Sequence, residues 1–115
     1  MKTQKETGMI RSIIRMLIPL EKQSEALEIL GSTIEETLFD PGCISCRLYH
    51  GVEDALTIMI EELWTSEEEL QHHLQSDNYR KILLVVEMAA EPPESLTIDI
   101  QSSACWQVPS FYIIC

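Results

Sequence analysis

The chain has 115 residues, enough for one domain with one hydrophobic core and too few for two ordinary domains. With 45% hydrophobic and 23% charged residues it has a globular composition, which excludes an intrinsically disordered chain. The formal net charge is −11, and only 8 Lys and Arg are scattered along the sequence, so the basic stripe needed for nucleic-acid binding is missing.

Membrane insertion and secretion are not expected from the sequence. Apolar runs such as Ile82 to Val86 are far shorter than the roughly 18 residues that span a bilayer. The first nine residues are polar and do not have the pattern of a signal peptide. Four cysteines without such a signal favour reduced thiols. We therefore expect a soluble, cytoplasmic protein that contacts neither membrane nor nucleic acid.

The first half of the chain predicts a strand followed by a helix. Apolar residues alternate from Met9 to Ile18, which is typical of a strand. Pro19 is well placed to open a helix, because its missing N–H is not needed in the first turn. Steps of three and four residues then predict an apolar stripe on that helix, formed by Leu27, Leu30, Ile34 and Leu38.

A hairpin is predicted next. Asp40-Pro41-Gly42 turns the chain, and residues alternate again from Cys43 to His50. A short turn leads to the next predicted strand, Leu56 to Trp64. The two strands are close in sequence, so we expect them to pair in antiparallel fashion.

Two helical stretches and a fourth strand complete the pattern. Ser66 and Glu69 have capping-box spacing at the start of the first stretch. Ser76 starts the second stretch, which Pro92-Pro93 ends. Clean alternation from Ser95 to Gln101 predicts the fourth strand.

The order β-α-β-β-α-β predicts a ferredoxin-like α+β fold, a four-stranded antiparallel sheet with helices on one face. We expect this domain to cover residues 9–101, after a frayed N-terminus at residues 1–8. Residues 102–115 form an apolar C-terminal extension, expected to pack on its own domain or on a partner subunit.

Cys43 and Cys46 have C-x-x-C spacing, which in other proteins forms redox or zinc sites. On a regular strand, three residues span about 10 Å and place the two side chains on opposite faces. No helix N-terminus follows, and the sequence has no second C-x-x-C or H-x₃-H motif. The spacing therefore predicts two small hydrophobic residues, with no metal site.

His73 is the histidine predicted to face inward. It shares a helix face with Leu70 and Leu74, whereas His72 points about 100° away toward solvent. A histidine there is either structural or catalytic, and the pattern leaves both open. Trp64, at the junction of strand and helix, is predicted to pack in the core. The sequence carries no phosphate loop and no nucleophile elbow.

Taken together, the residues from Pro41 to Ile82 resemble the antibiotic biosynthesis monooxygenase family of dimeric α+β barrels. The resemblance, over residues 9–101, rests on the positions Pro41-Gly42, Ser45, Glu62-x-Trp64, Ser66, His73-Leu74, Ser76 and Tyr79. It implies a homodimer whose sheets face one another, each subunit with an apolar pocket between sheet and helices. It also implies oxygenation of an electron-rich aromatic, such as a quinol or an anthrone, without any cofactor.

Within this resemblance, His73 is the candidate base for a phenolic proton. The residues expected to shape a cavity for a small apolar or aromatic ligand are Trp64, Tyr79, Ile14, Leu83 and Met88, with Cys46 added if its strand face lines the pocket.

Two branches of the family fit less well. A haem-degrading branch uses an Asn, a Trp and an iron-binding His where this chain aligns Ile14, His73 and Leu83, so haem degradation is not expected. The polar residues of the polyketide-oxidising branch are not recognisable either. The alternatives are therefore a non-catalytic dimeric ligand-binding or stress-associated module on the same fold, and thiol redox chemistry at Cys43 or Cys46.

Overall fold

The computed structural model describes residues 8–100 and the backbone of two short strands, Trp106–Gln107 and Ile113–Ile114, which pair with each other. The frayed terminus predicted for residues 1–8 lies outside the described residues, except for Gly8. The packing predicted for the extension at 102–115 also lies outside them.

One antiparallel sheet organises the fold. Its strands are β1 (Ile10–Leu17), β2 (Cys43–His50), β3 (Thr57–Trp64) and β4 (Glu94–Asp99). They lie in the order β2-β3-β1-β4, so the hairpin predicted from the sequence forms one side of the sheet. The two central strands, β1 and β3, are the most apolar on the face that meets the helices.

Three helices lie among these strands: α1 (Leu20–Thr37), α2 (Glu67–Leu74) and α3 (Asp77–Val86). Serine hydroxyls start the last two, since Ser66 Oγ accepts from the Glu69 N–H and Ser76 Oγ from the Tyr79 N–H, each at 3.2 Å. The order is β-α-β-β-α-α-β, and the predicted ferredoxin-like α+β fold is confirmed.

The main core lies between the sheet and the helices. Its fully buried apolar side chains are Met16, Ile18, Ala26, Leu30, Ile58, Ile60, Ile82 and Val85. A second cluster of Ile10, Trp64 and Leu70 lies where β3 leads into α2. This second cluster fixes the position of α2 over the sheet.

The buried stripe of α1 differs from the predicted one. Leu38 is 50% exposed, and the stripe includes the polar residues Gln23, Thr33 and Thr37. The Gln23 amide donates to the carbonyls of Ile18 and Ala55, and the two threonine hydroxyls donate to helix carbonyls one turn earlier. Local hydrogen bonds thus make burial of these polar groups tolerable, which a hydrophobic pattern does not reveal.

Among the described residues, no helix packs on the opposite face of the sheet. There Arg15 pairs with Glu94 at 2.8 Å, and Tyr49 donates to Glu61 at 2.9 Å. Apolar residues lie between these polar pairs, at Ile13, Leu17, Met59, Leu63, Leu96 and Ile98. We call this surface the helix-free face.

Gly42 provides a test of how β2 is joined to α2. Its carbonyl accepts from the Thr65 N–H at 2.9 Å, and a Cβ added to it would lie 2.8 Å from Glu69 Cβ. We expect Gly42→Ala to lower the free energy of unfolding by about 1–3 kcal/mol, because α2 must move away. Urea denaturation measures the change.

Gly31→Ala is the matched control for Gly42→Ala. A Cβ at Gly31 meets no atom within 4 Å, apart from the backbone of its own helix, and the residue lies inside α1. Alanine stabilises a helix interior relative to glycine, so Gly31→Ala should raise the free energy of unfolding by up to about 1 kcal/mol. Equal losses in both variants would contradict the close approach of Glu69 to Gly42.

Candidate functional site

A carboxylate lies inside the core, at Glu62. This side chain is 3% exposed and stands on the helix-facing side of β3, between Ile60 and Trp64. In the sheet its neighbours are two small residues, Ser12 on β1 and Cys46 on β2. Small neighbours leave room above the sheet for a side chain from a helix. Burial of a carboxyl group without hydrogen-bond partners would cost several kcal/mol.

Three side chains bring polar groups close to this carboxylate. Trp64 Nε1 donates to Oε1 at 3.1 Å, and His73 Nε2 lies 3.1 Å from Oε2. The Cys46 sulfur is 4.0 Å from Oε2, at the range of a weak S–H donor. We call Cys46, Glu62, Trp64 and His73 the Glu62 network.

Helix α2 brings His73 to this position. Ser66 caps the helix directly after β3, so its last turn returns over the sheet. The His73 ring stacks on Trp64 with 4.6 Å between ring centroids, and its edge meets Tyr79 of α3 at 5.5 Å. The imidazole is therefore held between two aromatic rings and a carboxylate.

The structure brings together some of the residues proposed from the sequence. His73 faces inward and His72 is exposed, which agrees with the helical pattern. Trp64, Cys46 and Tyr79 surround His73 or its carboxylate partner. Ile14 and Met88 belong to the adjoining apolar core, whereas Leu83 is 43% exposed on α3.

Glu62 was missed as a site residue. In the sequence, Glu62 belongs to the Glu62-x-Trp64 family pattern. The available signal was its phase on the strand, since it follows Ile58 and Ile60 and precedes Trp64 on the inward side. A charged residue in phase with core residues needs a buried partner.

The prediction that Cys43 and Cys46 lie on opposite faces of the sheet is wrong. Cys43 pairs with Trp64 and Ser45 with Leu63, so a β-bulge at Ile44 shifts the register by one residue. Because a bulge adds one unpaired residue, both cysteines face the helices. Cys43 is half-buried and packs against the core, and Cys46 is buried in it.

The surroundings of these thiols oppose redox chemistry. Burial, with the nearby charge of Glu62, raises the pKa of Cys43 to about 11. The same two causes raise the pKa of Cys46 further. The thiolate is the nucleophile and the metal ligand, so both roles are suppressed at neutral pH. Among the described residues, no group of three or more His, Cys, Asp or Glu could hold a metal ion.

Tyr79 is also affected by the buried charge. Burial, followed by the charge of Glu62, raises the pKa of its phenol. The half-buried hydroxyl is therefore a hydrogen-bond donor throughout the neutral range.

Comparison with known proteins identifies the family. The family model described as antibiotic biosynthesis monooxygenase matches residues 9–83. The chain belongs to this family. The match contains the complete Glu62 network, so the site lies within the part of the chain that family members share.

Solved structures agree with the fold of this family member. A conserved protein from Methanosarcina mazei Go1 is 29% identical, with a TM-score of 0.76 over 81% of this chain and 93% of that one. A structure described as an antibiotic biosynthesis monooxygenase is 19% identical, with a TM-score of 0.73, covering 78% and 96%. A Mycobacterium tuberculosis protein is 22% identical, with a TM-score of 0.72, covering 78% and 92%.

No functionally curated protein matches the chain. Within the described residues, no helix is long and apolar enough to cross a bilayer.

The raised pKa of Cys43 predicts slow alkylation. In a Cys105→Ser/Cys115→Ser background at pH 8, only about 0.1% of a thiol with a pKa of about 11 is ionised. We expect iodoacetamide to label the folded protein at least about tenfold more slowly than a free cysteine, and faster as pH rises from 8 to 10.

Mass spectrometry with and without guanidinium chloride would separate the folded protein from the unfolded control. Labelling of the folded protein at the rate of the unfolded chain would contradict the buried position of the two thiols.

Proposed function

We propose that this chain is a homodimeric monooxygenase that oxygenates an electron-rich aromatic of the quinol or anthrone type, with His73 as the base. The single observation that carries the proposal is the contact between His73 and Glu62, a buried imidazole–carboxylate pair. Membership of the antibiotic biosynthesis monooxygenase family supports the reaction class.

The proposed chemistry starts with a proton transfer. A neutral imidazole takes the phenolic proton, and the carboxylate of Glu62 stabilises the imidazolium that forms. The phenolate is then electron-rich enough to reduce O₂ without a metal or an organic cofactor. In an anthrone, one oxygen atom of O₂ replaces the two hydrogens of the activated ring CH₂ as a carbonyl, and the other leaves as water together with those hydrogens.

The aromatic residues around His73 suit this type of substrate. Trp64 and Tyr79 present ring surfaces on which a flat substrate would stack. Trp64 is fully buried and Tyr79 half-buried, so we propose that the substrate approaches His73 from the side of Tyr79. Displacing this side chain would open the Glu62 network without breaking the bonds to Glu62.

The homodimer would form through the helix-free face. This face offers two central strands with apolar residues between ion pairs, a composition that suits a subunit interface. Two copies packed in this way would have their sheets facing one another, as the family resemblance implies.

A second candidate function is a non-catalytic ligand-binding or stress-associated module. The observation that favours it is the closure of the site, since His73 and Glu62 are each 3% exposed. A small molecule retained through purification, with no oxygen consumption, would favour this second function over the monooxygenase.

His73→Gln tests the proposed base. Glutamine keeps an N–H donor for Glu62 and removes the imidazole, so the carboxylate stays paired. We expect kcat for oxygen uptake with a quinol or an anthrone to fall by about 10²–10⁴-fold. An oxygen electrode measures the rate, with His72→Gln as the exposed control that keeps wild-type turnover. Equal rates in the two variants would exclude His73 as the base.

Met59→Lys tests the proposed dimer. Met59 lies on the helix-free face in the middle of β3, and a lysine there would place a charge in the interface. We expect the dimer dissociation constant to rise by about 10²-fold or more, measured by sedimentation velocity. Val52→Lys, at a residue that is 98% exposed, is the control. A dimer unaffected by Met59→Lys would show that the subunits meet elsewhere.

A further inference from the structure

We infer that Glu62 is a positioning residue that holds His73 in the tautomer with its proton on Nε2, which leaves Nδ1 as the basic nitrogen. The tautomer is inferred from the contacts of an ionised Glu62 carboxylate with its polar neighbours. The role of Nδ1 as the proton acceptor rests on the proposed function.

Three polar groups surround the Glu62 carboxylate. Trp64 Nε1 can only donate, and it occupies Oε1 at 3.1 Å. Oε2 is approached by His73 Nε2 at 3.1 Å and by the Cys46 thiol at 4.0 Å. An ionised carboxylate offers acceptors only, and it matches all three groups if Nε2 carries a hydrogen.

Two aromatic neighbours and the carboxylate restrict the orientation of the His73 ring. Trp64 lies against the imidazole at an interplanar angle of 32°, and Tyr79 meets it edge-on at 73°. A half-turn of the ring would replace Nε2 by a carbon and leave the buried carboxylate without this donor. An unsatisfied buried charged group is costly, so the observed orientation is strongly preferred.

The tautomer of His73 determines which of its two ring nitrogens is basic. A neutral imidazole with its proton on Nε2 has its lone pair on Nδ1. Within the described part of the chain, Nδ1 makes no hydrogen bond, while Nε2 is engaged with Glu62. Nδ1 is therefore the nitrogen able to accept a proton from a substrate hydroxyl. The carboxylate on the other side of the ring stabilises the resulting imidazolium.

Nitrogen-15 NMR of the imidazole ring tests the tautomer in the wild-type protein. We expect His73 signals that show a protonated Nε2 and an unprotonated Nδ1. The opposite pattern, with the proton on Nδ1, would overturn the inference. This measurement needs no substrate and no variant.

Glu62→Gln sharpens the test. In this variant the side-chain oxygen of the glutamine would accept the hydrogen bond from Trp64 Nε1–H. The side-chain NH₂ group would then face His73 Nε2 and donate to it. We expect the ring proton to move to Nδ1, which reverses the nitrogen-15 pattern. Glu68→Gln, an equal charge change at an exposed position on α2, should leave the pattern as in wild type. A Glu62→Gln protein with the wild-type pattern would overturn the inference, and if it does not fold the wild-type spectrum decides.

Oxygen uptake with a hydroquinone and an anthrone tests the role of Nδ1. Glu62→Gln should lower kcat by about 10²-fold or more, with KM within about threefold, because the lone pair has moved away from the substrate. Unchanged kcat with a reversed tautomer would overturn the assignment of Nδ1. If the wild-type protein consumes no oxygen, the proposed function and the role of Nδ1 both fail, while the tautomer is still judged by the spectra.

Discussion

Burial of the Glu62 carboxylate is the constraint that connects the sheet of this protein with its second helix. A charged group in a core has to be surrounded by polar partners, and here they come from three elements, Cys46 on β2, Trp64 on β3 and His73 on α2. Removing one of them leaves part of the buried carboxylate without a hydrogen-bond partner, so each element depends on the others. The position of α2 is set by this requirement together with the apolar contact of Leu70 with Trp64 and Ile10.

The same carboxylate accounts for the chemistry of its neighbours. Its negative charge adds to burial in raising the pKa values of Cys43, Cys46 and Tyr79, which keeps these groups protonated. The C-x-x-C motif therefore carries two protonated thiols beside a charged acceptor. A base for phenolic protons benefits from such surroundings, because a carboxylate stabilises an imidazolium and unionised thiols do not compete for the substrate.

Family membership and the geometry of the site support different parts of the proposed function. The family match, over residues 9–83, gives the fold and the class of reaction. The contacts of Glu62 and His73 then indicate how one histidine could act in a closed, apolar site.

The sequence by itself determined the strands, the helix starts at Ser66 and Ser76, and the inward direction of His73. These features depend on side-chain alternation and capping between residues close in the chain. Only the tertiary structure decided that Cys43 and Cys46 share a face, that α1 buries Thr33 and Thr37, and that Glu62 meets His73. The bulge follows from the pairing of β2 with β3, and the Glu62 contact from the return of α2 over the sheet. Both depend on residues brought together by folding, which local periodicity does not encode.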